Sequence, residues 1–315
     1  MTYKIFIDGE AGTTGLEIKK RISGQDDLTI LSIDDHLRKD KAERLKFFNM
    51  ADLVFLCLPD EESKMIVEQA SENTKIIDAS TAFRTDENWA YGLSELDSNQ
   101  SEIIHSSNRV SNPGCHATGF ILLTNPIIDE GIIHKNTFLS AHSVTGYSGG
   151  GKKMIGKYEG ENKETRDSLV SPGQYGLTQN HKHIPEMTIH SGLDVKPVFT
   201  PIVSNYYRGM LVSIPVDTSQ LRRQLDLEDM ISLYKQRYES SKLISVKSEK
   251  EAAQDGFIYA DRLREKDSLE IIVCGNNERM TLMARYDNLG KGASGAAIQN
   301  MNIMLGRPEY TGLNL

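Results

Sequence analysis

A glycine turn near the start of the chain constrains the fold more than any other feature. The β-prone run at residues 3–7 leads directly into Gly9, Gly12 and Gly15, and a helical stretch follows at residues 16–22. Strand, glycine turn and helix in this order let backbone N–H groups and a helix N-terminus approach a pyrophosphate. The spacing is G-x-x-G-x-x-G and not the commoner G-x-G-x-x-G, and a plain tight turn would need the same glycines.

The residues after the turn strengthen the dinucleotide interpretation. Three further apolar runs lie at residues 28–33, 53–58 and 75–77, with helix-length segments between them. Strands that alternate with helices predict an α/β fold with a Rossmann-type, doubly wound parallel sheet. The candidate cofactor residues of the turn are Gly9, Gly12, Thr13, Thr14 and Gly15.

The residues after the second strand leave the choice between NAD and NADP open. Asp34 and Asp35 lie about twenty residues past the turn, where an acidic side chain would hold a ribose 2′-OH and favour NAD. A basic cluster of His36, Arg38, Lys39 and Lys41 follows, and it can pair with a 2′-phosphate. A solvated charged loop would show the same composition.

Length, charge and cysteine content exclude several classes of protein. The 315 residues allow two domains, each with its own core. An excess of 44 acidic over 36 basic residues argues against nucleic acid as a partner. No apolar run approaches the roughly 18 residues of a membrane span. Since the N-terminus resembles no signal peptide, we expect a cytoplasmic protein whose three cysteines stay reduced.

One of the three cysteines has the context of a nucleophile. Cys115 follows Asn112-Pro113-Gly114 and precedes an apolar helical segment, which places it at the first turn of a helix. The positive end of a helix dipole favours the thiolate, the nucleophilic form. Cys57 and Cys274 lie in apolar runs and are predicted to be buried.

A nucleophilic thiol needs a partner that moves protons, and the chain offers two histidines in one segment. His181 and His183 flank Lys182, and Glu186 follows three residues later, where it could orient an imidazole. The segment does not decide between the two histidines, although the adjoining Ile-Pro-Glu favours His183. We expect no metal site, because no further His/Cys cluster has ligand spacing.

Two other segments suggest contacts with a substrate. Residues 143–153 are rich in glycine, hydroxyls and lysine, which favours a mobile loop over a substrate or a flexible connector; the Walker pattern is not met. Residues 78–84 follow the fourth strand, where open α/β sheets bind ligands, so Ser80 and Arg84 could face an anion. A surface arginine beside a turn is the alternative.

The second part of the chain predicts an α+β domain with an open mixed or antiparallel sheet and helices on one face. A helix is expected at residues 227–238 and a closing helix at 292–305. The predicted strands cover residues 137–144, 198–203, 209–216, 269–274 and 279–286. We therefore expect a dinucleotide-binding domain at 1–112, completed by 288–315, and a catalytic and oligomerisation domain at 113–287.

Five segments together carry a family resemblance that runs from residue 1 to about residue 308. They are EAGTTG, DASTAFR, NPGCHATG, HKHIPEM and NLGKGASGAAIQNMNIMLG. In this order they resemble the N-acetyl-gamma-glutamyl-phosphate reductase family, in its short form. Aspartate-semialdehyde dehydrogenases share the architecture but usually lack this Pro-Gly turn before the cysteine. Phe83 departs from the family pattern, in which a histidine is expected.

The resemblance implies NADPH-dependent reduction of N-acetyl-L-glutamyl 5-phosphate to the 5-semialdehyde and phosphate, in arginine biosynthesis. It implies Cys115 as nucleophile, His181 or His183 as acid/base, and Arg38 and Lys39 as 2′-phosphate partners. Asn288 and Gly292 are expected to contact the cofactor. The candidate substrate residues are Ser80, Arg84, Asn112, Ser148 and Glu186.

The expected chemistry passes through a thioester, because a thiolate that attacks an acyl phosphate expels a good leaving group. Backbone N–H groups at the start of the Cys115 helix could stabilise the oxyanion. Two alternatives remain at this point: an enzyme like aspartate-semialdehyde dehydrogenase, or a non-catalytic dinucleotide sensor. A homo-oligomer, either a dimer or a tetramer, is also expected.

Overall fold

A computed structural model describes residues 2–34 and 36–315 of the chain. Asp35, one of the two acidic residues considered for the cofactor ribose, lies outside the described residues. The chain folds into two compact units: unit 1 comprises Met1–Gly114 and Ala293–Leu313, and unit 2 comprises Cys115–Gly292 and Asn314–Leu315. In the described part of the chain, no helix is both long and apolar enough to span a bilayer.

Unit 1 contains a parallel sheet whose six described strands follow the order β2-β1-β3-β4-β6-β5. The strands are β1 (Tyr3–Asp8), β2 (Leu28–Leu31), β3 (Leu53–Leu56), β4 (Lys75–Asp78), β5 (Ala90–Tyr91) and β6 (Arg109–Ser111). The chain passes from β1 to β2 on one side and then to β3 on the other side of β1. Such a reversal opens a crevice at the carboxyl ends of the two neighbouring strands.

Both faces of this sheet are covered, as the doubly wound prediction requires. Ile5 and Ile7 point into one apolar cluster with helices on that face, and Phe6, between them, points into a second cluster on the other face. The helices of unit 1 are α1 (Thr13–Ile22), α2 (Lys41–Met50), α3 (Asp60–Val67), α4 (Gln100–Ser106) and α11 (Gly295–Met304). The Rossmann-type prediction is confirmed, and α1 begins at Thr13, earlier than expected.

Unit 2 is built on a mixed sheet with the described strand order β11-β12-β13-β10-β7-β9-β8. Its strands are β7 (Ser140–Gly146), β8 (Gly173–Gln174), β9 (Val198–Ser204), β10 (Met210–Asp217), β11 (Ile244–Ser248), β12 (Leu269–Gly275) and β13 (Arg279–Tyr286). Its helices are α5 (Cys115–Asp129), α6 (Gly151–Glu159), α7 (Lys163–Ser168), α8 (Ile184–Ser191), α9 (Leu227–Arg237) and α10 (Glu249–Ala252). The expected mixed sheet is confirmed.

The two faces of the unit 2 sheet differ in character. Alternate residues of β10 and β13, such as Val212 and Leu282, are fully buried on the face against which α5 packs. Their neighbours Leu211 and Met283 lie on the opposite face and are half-buried, as is Val144 of β7. This second face is therefore partly exposed, and it carries these apolar side chains beside polar ones such as His142 and Ser213.

Helix α5 is almost entirely buried although a proline lies inside it. Pro126 has no N–H to offer the carbonyl of Leu122, which a regular helix would pair with residue 126. The Tyr238 hydroxyl donates to that carbonyl at 2.7 Å, and the Tyr234 hydroxyl donates to the next carbonyl, that of Leu123. Two tyrosines on one face of α9 and its end thus supply hydrogen bonds at the turn that the proline disrupts.

The glycine-rich stretch after β7 is folded, which corrects the expectation of a loop. A 3₁₀ turn at Tyr147–Gly150 passes into α6 at Gly151. The Tyr147 and Tyr158 rings stack with centroids 4.5 Å apart and planes 9° from parallel. This aromatic packing holds the helix despite the low intrinsic helix propensity of its glycines.

Candidate active site

Cys115 is the first residue of α5, as the sequence predicts, and its thiol is partly exposed. The N–H groups at the start of a helix carry partial positive charge, and the first turn of α5 begins at the residue that bears this thiol. Cys57 and Cys274, which were expected to be buried, are half-buried. Cys57 lies just past the end of β3 and Cys274 points to the second face of the sheet.

Two residues of unit 2 fix the main chain around Cys115. The Tyr286 hydroxyl donates to the Cys115 carbonyl and accepts from the Gly119 N–H at 3.0 Å. Gly292 lies so close that a Cβ on it would be 3.0 Å from the Cys115 Cβ. Gly292, predicted as a cofactor residue, therefore lies beside the thiol.

His116 forms a buried polar network next to the thiol. Its Nδ1 lies 2.7 Å from the Ser143 Oγ and its Nε2 lies 2.8 Å from the Tyr175 Oη. Burial, together with the neighbouring His181, lowers the pKa of His116 to about 3. The ring is neutral near pH 7, so one ring nitrogen donates and the other accepts. Burial and the nearby Cys115 raise the pKa of Tyr175.

The two predicted histidines come together with His116 in an imidazole cluster. The ring centroids of His181 and His183 are 4.7 Å apart, and those of His116 lie 5.7 Å and 5.5 Å from them. His183 is the N-cap of α8 and is buried, whereas His181 is half-buried. The His183 Nε2 lies 3.9 Å from the buried Glu186 Oε1. Glu186 therefore faces His183.

Sequence reasoning missed the tyrosines and His116. Tyr286 is 171 residues from Cys115 in sequence, and Tyr175 is 59 residues from His116. The only local signal was His116 itself, which directly follows the predicted nucleophile. No spacing rule connects a strand-end tyrosine to the first turn of a distant helix.

A second buried polar cluster holds the turn that carries Gly292. The Asp287 carboxylate accepts hydrogen bonds from the Arg208 side chain and from the Leu289 N–H. Asn288 accepts from the Gly209 N–H at 2.8 Å and donates to the Ser148 Oγ at 2.9 Å. Asn288 and Ser148, predicted for cofactor and substrate respectively, thus bond to each other, and their ligand roles stay predictions.

In unit 1, the predicted substrate residues after β4 form another buried network. The Ser80 hydroxyl donates to Asp78 at 2.6 Å, and burial raises the pKa of Asp78 to about 6. Arg84 is 8% exposed, which excludes the surface arginine considered above. Its Nε donates to the Asn112 carbonyl at 2.9 Å and its Nη2 to the Ala79 carbonyl at 3.1 Å.

The turn that precedes Cys115 in the chain is anchored within unit 1. The Asn112 N–H donates to the Asp78 carbonyl at 2.7 Å, and its side-chain amide donates to the Ala293 carbonyl at 3.0 Å. Asn300 of α11 donates to the Asn112 Oδ1 at 3.1 Å. Phe83, where the family pattern predicts histidine, stacks on Trp89, and the centroids of the two rings are 4.1 Å apart.

The crevice between β1 and β3 carries the predicted glycine turn. Gly9 adopts a φ of +87°, and a Cβ on it would lie 2.3 Å from the Cys57 carbonyl oxygen, so only glycine fits. Gly12 is the N-cap of α1, and Thr13, Thr14 and Gly15 form its first turn. The turn leaves a helix N-terminus open to an anion.

Acidic and basic candidates line the same cavity of about 900 Å³ as the glycine turn. Asp34, Arg38, Lys39 and Lys41 all contribute to its wall. Arg44 also lines it, and its guanidinium binds the Asp8 carboxylate, with Nη2 2.7 Å from Oδ2. The volume fits a dinucleotide, and Arg38, Lys39 and Lys41 give one part of a mixed acidic and basic wall its positive charge. Within residues 2–34 and 36–315, no cluster of His, Cys, Asp and Glu could hold a metal ion.

Two family profiles cover most of the chain. The NAD binding domain of semialdehyde dehydrogenases matches residues 7–104. The dimerisation domain of semialdehyde dehydrogenases matches residues 115–288. The two matches correspond to units 1 and 2 respectively.

Individual relatives and solved structures agree with these profiles. The chain is 44% identical to N-acetyl-gamma-glutamyl-phosphate reductase of Trichormus variabilis, over 98% of this chain and 99% of the relative. It is 42% identical to the enzyme of that name from Rhizobium etli, over 97% of this chain and 99% of the relative. The fold is similar to aspartate semialdehyde dehydrogenase II of Vibrio cholerae, with a TM-score of 0.72, 16% identity and coverage of 97% and 99%.

Proposed function

The chain belongs to the N-acetyl-gamma-glutamyl-phosphate reductase family, and we propose that it catalyses the NADPH-dependent reduction of N-acetyl-L-glutamyl 5-phosphate in arginine biosynthesis. The products are N-acetyl-L-glutamate 5-semialdehyde and phosphate. The observation that carries the proposal is the position of Cys115, at the N-terminus of a buried helix in a unit that also holds the imidazole cluster.

Acyl transfer to Cys115 is the first step of the proposed reaction. The thiolate Sγ attacks the acyl carbon, an S–C bond forms, and the C–O bond to phosphate breaks with its electron pair leaving on phosphate. Negative charge develops on the acyl oxygen during the attack. We assign the stabilisation of this charge to the N–H groups of the first turn of α5.

Proton transfer in the second step falls to the imidazole cluster. When bound, the reduced nicotinamide supplies a hydride to the thioester carbon. We assign the proton donor to His183, because the buried Glu186 faces its Nε2 and would stabilise the imidazolium. His181 remains the alternative donor. Return of the proton allows the C–S bond to break, which releases the aldehyde and the thiolate.

Unit 1 supplies the proposed cofactor site. Gly9 and Gly12 would let the main chain approach the pyrophosphate, and Thr13, Thr14 and Gly15 would offer it the first N–H groups of α1. Arg38 and Lys39 line the same cavity and are proposed to bind the 2′-phosphate, which makes NADP the preferred cofactor. Asn288 and Gly292 of unit 2 remain proposed cofactor contacts.

The substrate residues proposed from the sequence divide into two kinds. Glu186 acts on the reaction through His183, as described above. Arg84 and Asn112 bond chiefly to main-chain groups, which supports a role in holding the turn before Cys115. Their proposed contact with the anionic substrate is kept in addition to this role. Ser80 and Ser148 are kept as proposed substrate contacts.

We further propose a homo-oligomer formed through the second face of the unit 2 sheet, and a cytoplasmic location. The half-buried Val144, Leu211 and Met283 are apolar side chains on that face that a partner could cover. The profile that matches this unit is described as a dimerisation domain. Sedimentation equilibrium should give at least a dimer, and a monomer at micromolar concentration would contradict this part of the proposal.

The reaction is tested in the reverse direction with purified protein. N-acetylglutamate semialdehyde, phosphate and NADP should produce NADPH, followed by its absorbance, whereas aspartate semialdehyde should not. If aspartate semialdehyde is oxidised and N-acetylglutamate semialdehyde is not, the chain is an enzyme like aspartate-semialdehyde dehydrogenase. If neither aldehyde is oxidised while NADP still binds, the chain is a dinucleotide sensor and the proposed function is wrong.

A further inference from the structure

The Tyr286 hydroxyl occupies an unusual position in the first turn of α5. In a regular helix the Cys115 carbonyl accepts from the Gly119 N–H. Here the hydroxyl contacts both groups, accepting from the Gly119 N–H at 3.0 Å and donating to the Cys115 carbonyl. The ring is fully buried, and the main chain of Tyr286 pairs with Met210 and Leu269 on the two neighbouring strands.

Gly119 makes room for this hydroxyl. A Cβ at position 119 would lie 2.6 Å from the Tyr286 Oη and 2.7 Å from its Cε1. Real Cβ atoms do not approach other atoms so closely, so any larger residue would displace the ring. The hydroxyl and the glycine therefore form a matched pair at the end of the helix that carries the nucleophile.

The pair has a direct consequence for the reacting groups. The Cys115 carbonyl and the His116 N–H belong to one planar peptide unit and point in opposite directions. Whatever fixes the carbonyl also fixes the direction of that N–H, which belongs to the first turn of α5. The Cys115 Cβ is attached to the same peptide.

We propose that Tyr286 is a positioning residue for the nucleophile: by holding the Cys115 peptide on the rigid strand β13, it directs the thiol at the acyl carbon and the first N–H groups of α5 at the acyl oxygen. This inference rests on the proposed function, because it assumes acyl transfer to Cys115. Tyr286 itself does not touch the substrate in this role.

Helix α5 provides its own control. Tyr234 is as buried as Tyr286, and its hydroxyl also donates to a carbonyl of α5, that of Leu123. Leu123 lies two turns beyond Cys115. Tyr234→Phe removes one hydroxyl bond to this helix and Tyr286→Phe removes two, but only Tyr286→Phe changes the peptide of the nucleophile.

Kinetics of the two variants test the proposal. Tyr286→Phe should lower kcat for semialdehyde oxidation by about 10- to 100-fold, the cost of misplacing a reacting group. Its KM should change by less than about threefold, and Tyr234→Phe should keep kcat within about twofold. Equal kcat losses in the two variants would overturn the positioning role, since a general loss of helix stability would then explain both.

Alkylation of Cys115 by iodoacetamide gives a second measurement that needs no substrate. The rate is followed against pH by mass spectrometry of the peptide that contains Cys115. In Tyr286→Phe the midpoint should move to higher pH, because the thiol is less well placed at the helix N-terminus, and Tyr234→Phe should leave it unchanged. An unchanged midpoint in Tyr286→Phe would overturn the proposal.

Gly119→Ala serves as the second variant if Tyr286→Phe does not fold. The added methyl group would displace the Tyr286 ring, so this variant should reproduce the loss of kcat and the change in alkylation. Wild-type behaviour of Gly119→Ala would contradict the proposal. If the wild-type protein oxidises neither semialdehyde, the proposed function fails, while the alkylation measurements still decide the role of Tyr286.

Discussion

Tyrosine hydroxyls bind the main chain of α5 both at its N-terminal end and at the start of its second half, residues 122–129, which we call its C-terminal end; the reasons differ. At the C-terminal end, Pro126 has no N–H, and the Tyr238 hydroxyl donates to the Leu122 carbonyl in its place. At the N-terminal end the Gly119 N–H is present, and the Tyr286 hydroxyl lies between it and the Cys115 carbonyl. One hydroxyl replaces a missing donor, and the other is added to a turn that has its donor.

This difference separates two contributions that look alike in a hydrogen-bond count. A hydroxyl that satisfies an orphaned buried carbonyl contributes to folding stability. A hydroxyl added next to a nucleophile contributes to the geometry of the reaction. We therefore expect changes at the N-terminal end to alter turnover and changes at the C-terminal end to alter the free energy of unfolding.

The largest effect is expected at the nucleophile itself. Cys115→Ser should lower kcat by at least about 10⁴-fold, because a serine hydroxyl at this position is a far weaker nucleophile than a thiolate. NADP binding, measured by fluorescence titration, should be unchanged. Cys274→Ser is the matched control and should stay active. Substantial activity in Cys115→Ser would rule out the thioester and with it the functional importance of this end of the helix.

A change in unit 1 should leave both ends of α5 unaffected. The double reversal Arg38→Glu with Lys39→Glu should raise KM for NADP by about 100-fold, because two negative charges would then face the 2′-phosphate. KM for NAD, the maximal rate and the melting temperature should change little. Equal effects on NADP and NAD would show that these side chains do not recognise the 2′-phosphate.

His116, in the first turn of α5, should make the free energy of unfolding sensitive to pH. Its pKa is about 3 in the folded protein, against about 6.5 in an unfolded chain. Between these values the unfolded state binds more protons, so stability falls as pH drops below about 6.5, by up to about 1.4 kcal/mol per pH unit.

Urea unfolding at pH 7, 6 and 5 measures this dependence. His116→Gln should remove most of the loss at low pH, whereas replacement of the exposed His134 by glutamine should not. A wild-type and a His116→Gln protein with parallel pH profiles would show that the ring does not carry the dependence.

The smallest effect, at the C-terminal end, is expected in stability alone. Tyr238→Phe should lower the free energy of unfolding by about 1–3 kcal/mol, because the Leu122 carbonyl then has no donor. Pro126→Ala restores an N–H at that position. In the Pro126→Ala background Tyr238→Phe should therefore cost less, and a full double-mutant cycle measures the coupling. Additive losses, or a fall in kcat, would contradict the division between the two ends.

Much of the architecture was predictable because it depends on local pattern. The glycine turn followed a β-prone run, so Gly9 and the start of α1 could be placed within a few residues. Pro113 and Gly114 before an apolar segment fixed the start of α5 at Cys115. Such features need only neighbours in sequence.

The details of the site depended on residues far apart in sequence and could not be predicted. Tyr286 reaches Cys115 from a strand end, and Arg84 is buried because two main-chain carbonyls accept from it. The glycines of residues 149–151 indicated a loop, but ring stacking between Tyr147 and Tyr158 favours a helix. In each case tertiary packing outweighed the local signal.

The buried pair of Asp8 and Arg44 limits how the cofactor preference could be re-engineered. Arg44 lines the cofactor cavity and looks like a natural target for conversion from NADP to NAD. Its guanidinium, however, holds the buried Asp8 carboxylate at the end of β1, and removal of one partner from such a pair costs about 3–5 kcal/mol. A redesign should therefore begin with Arg38 and Lys39 and keep Arg44, so that the coenzyme preference changes without destabilising the fold.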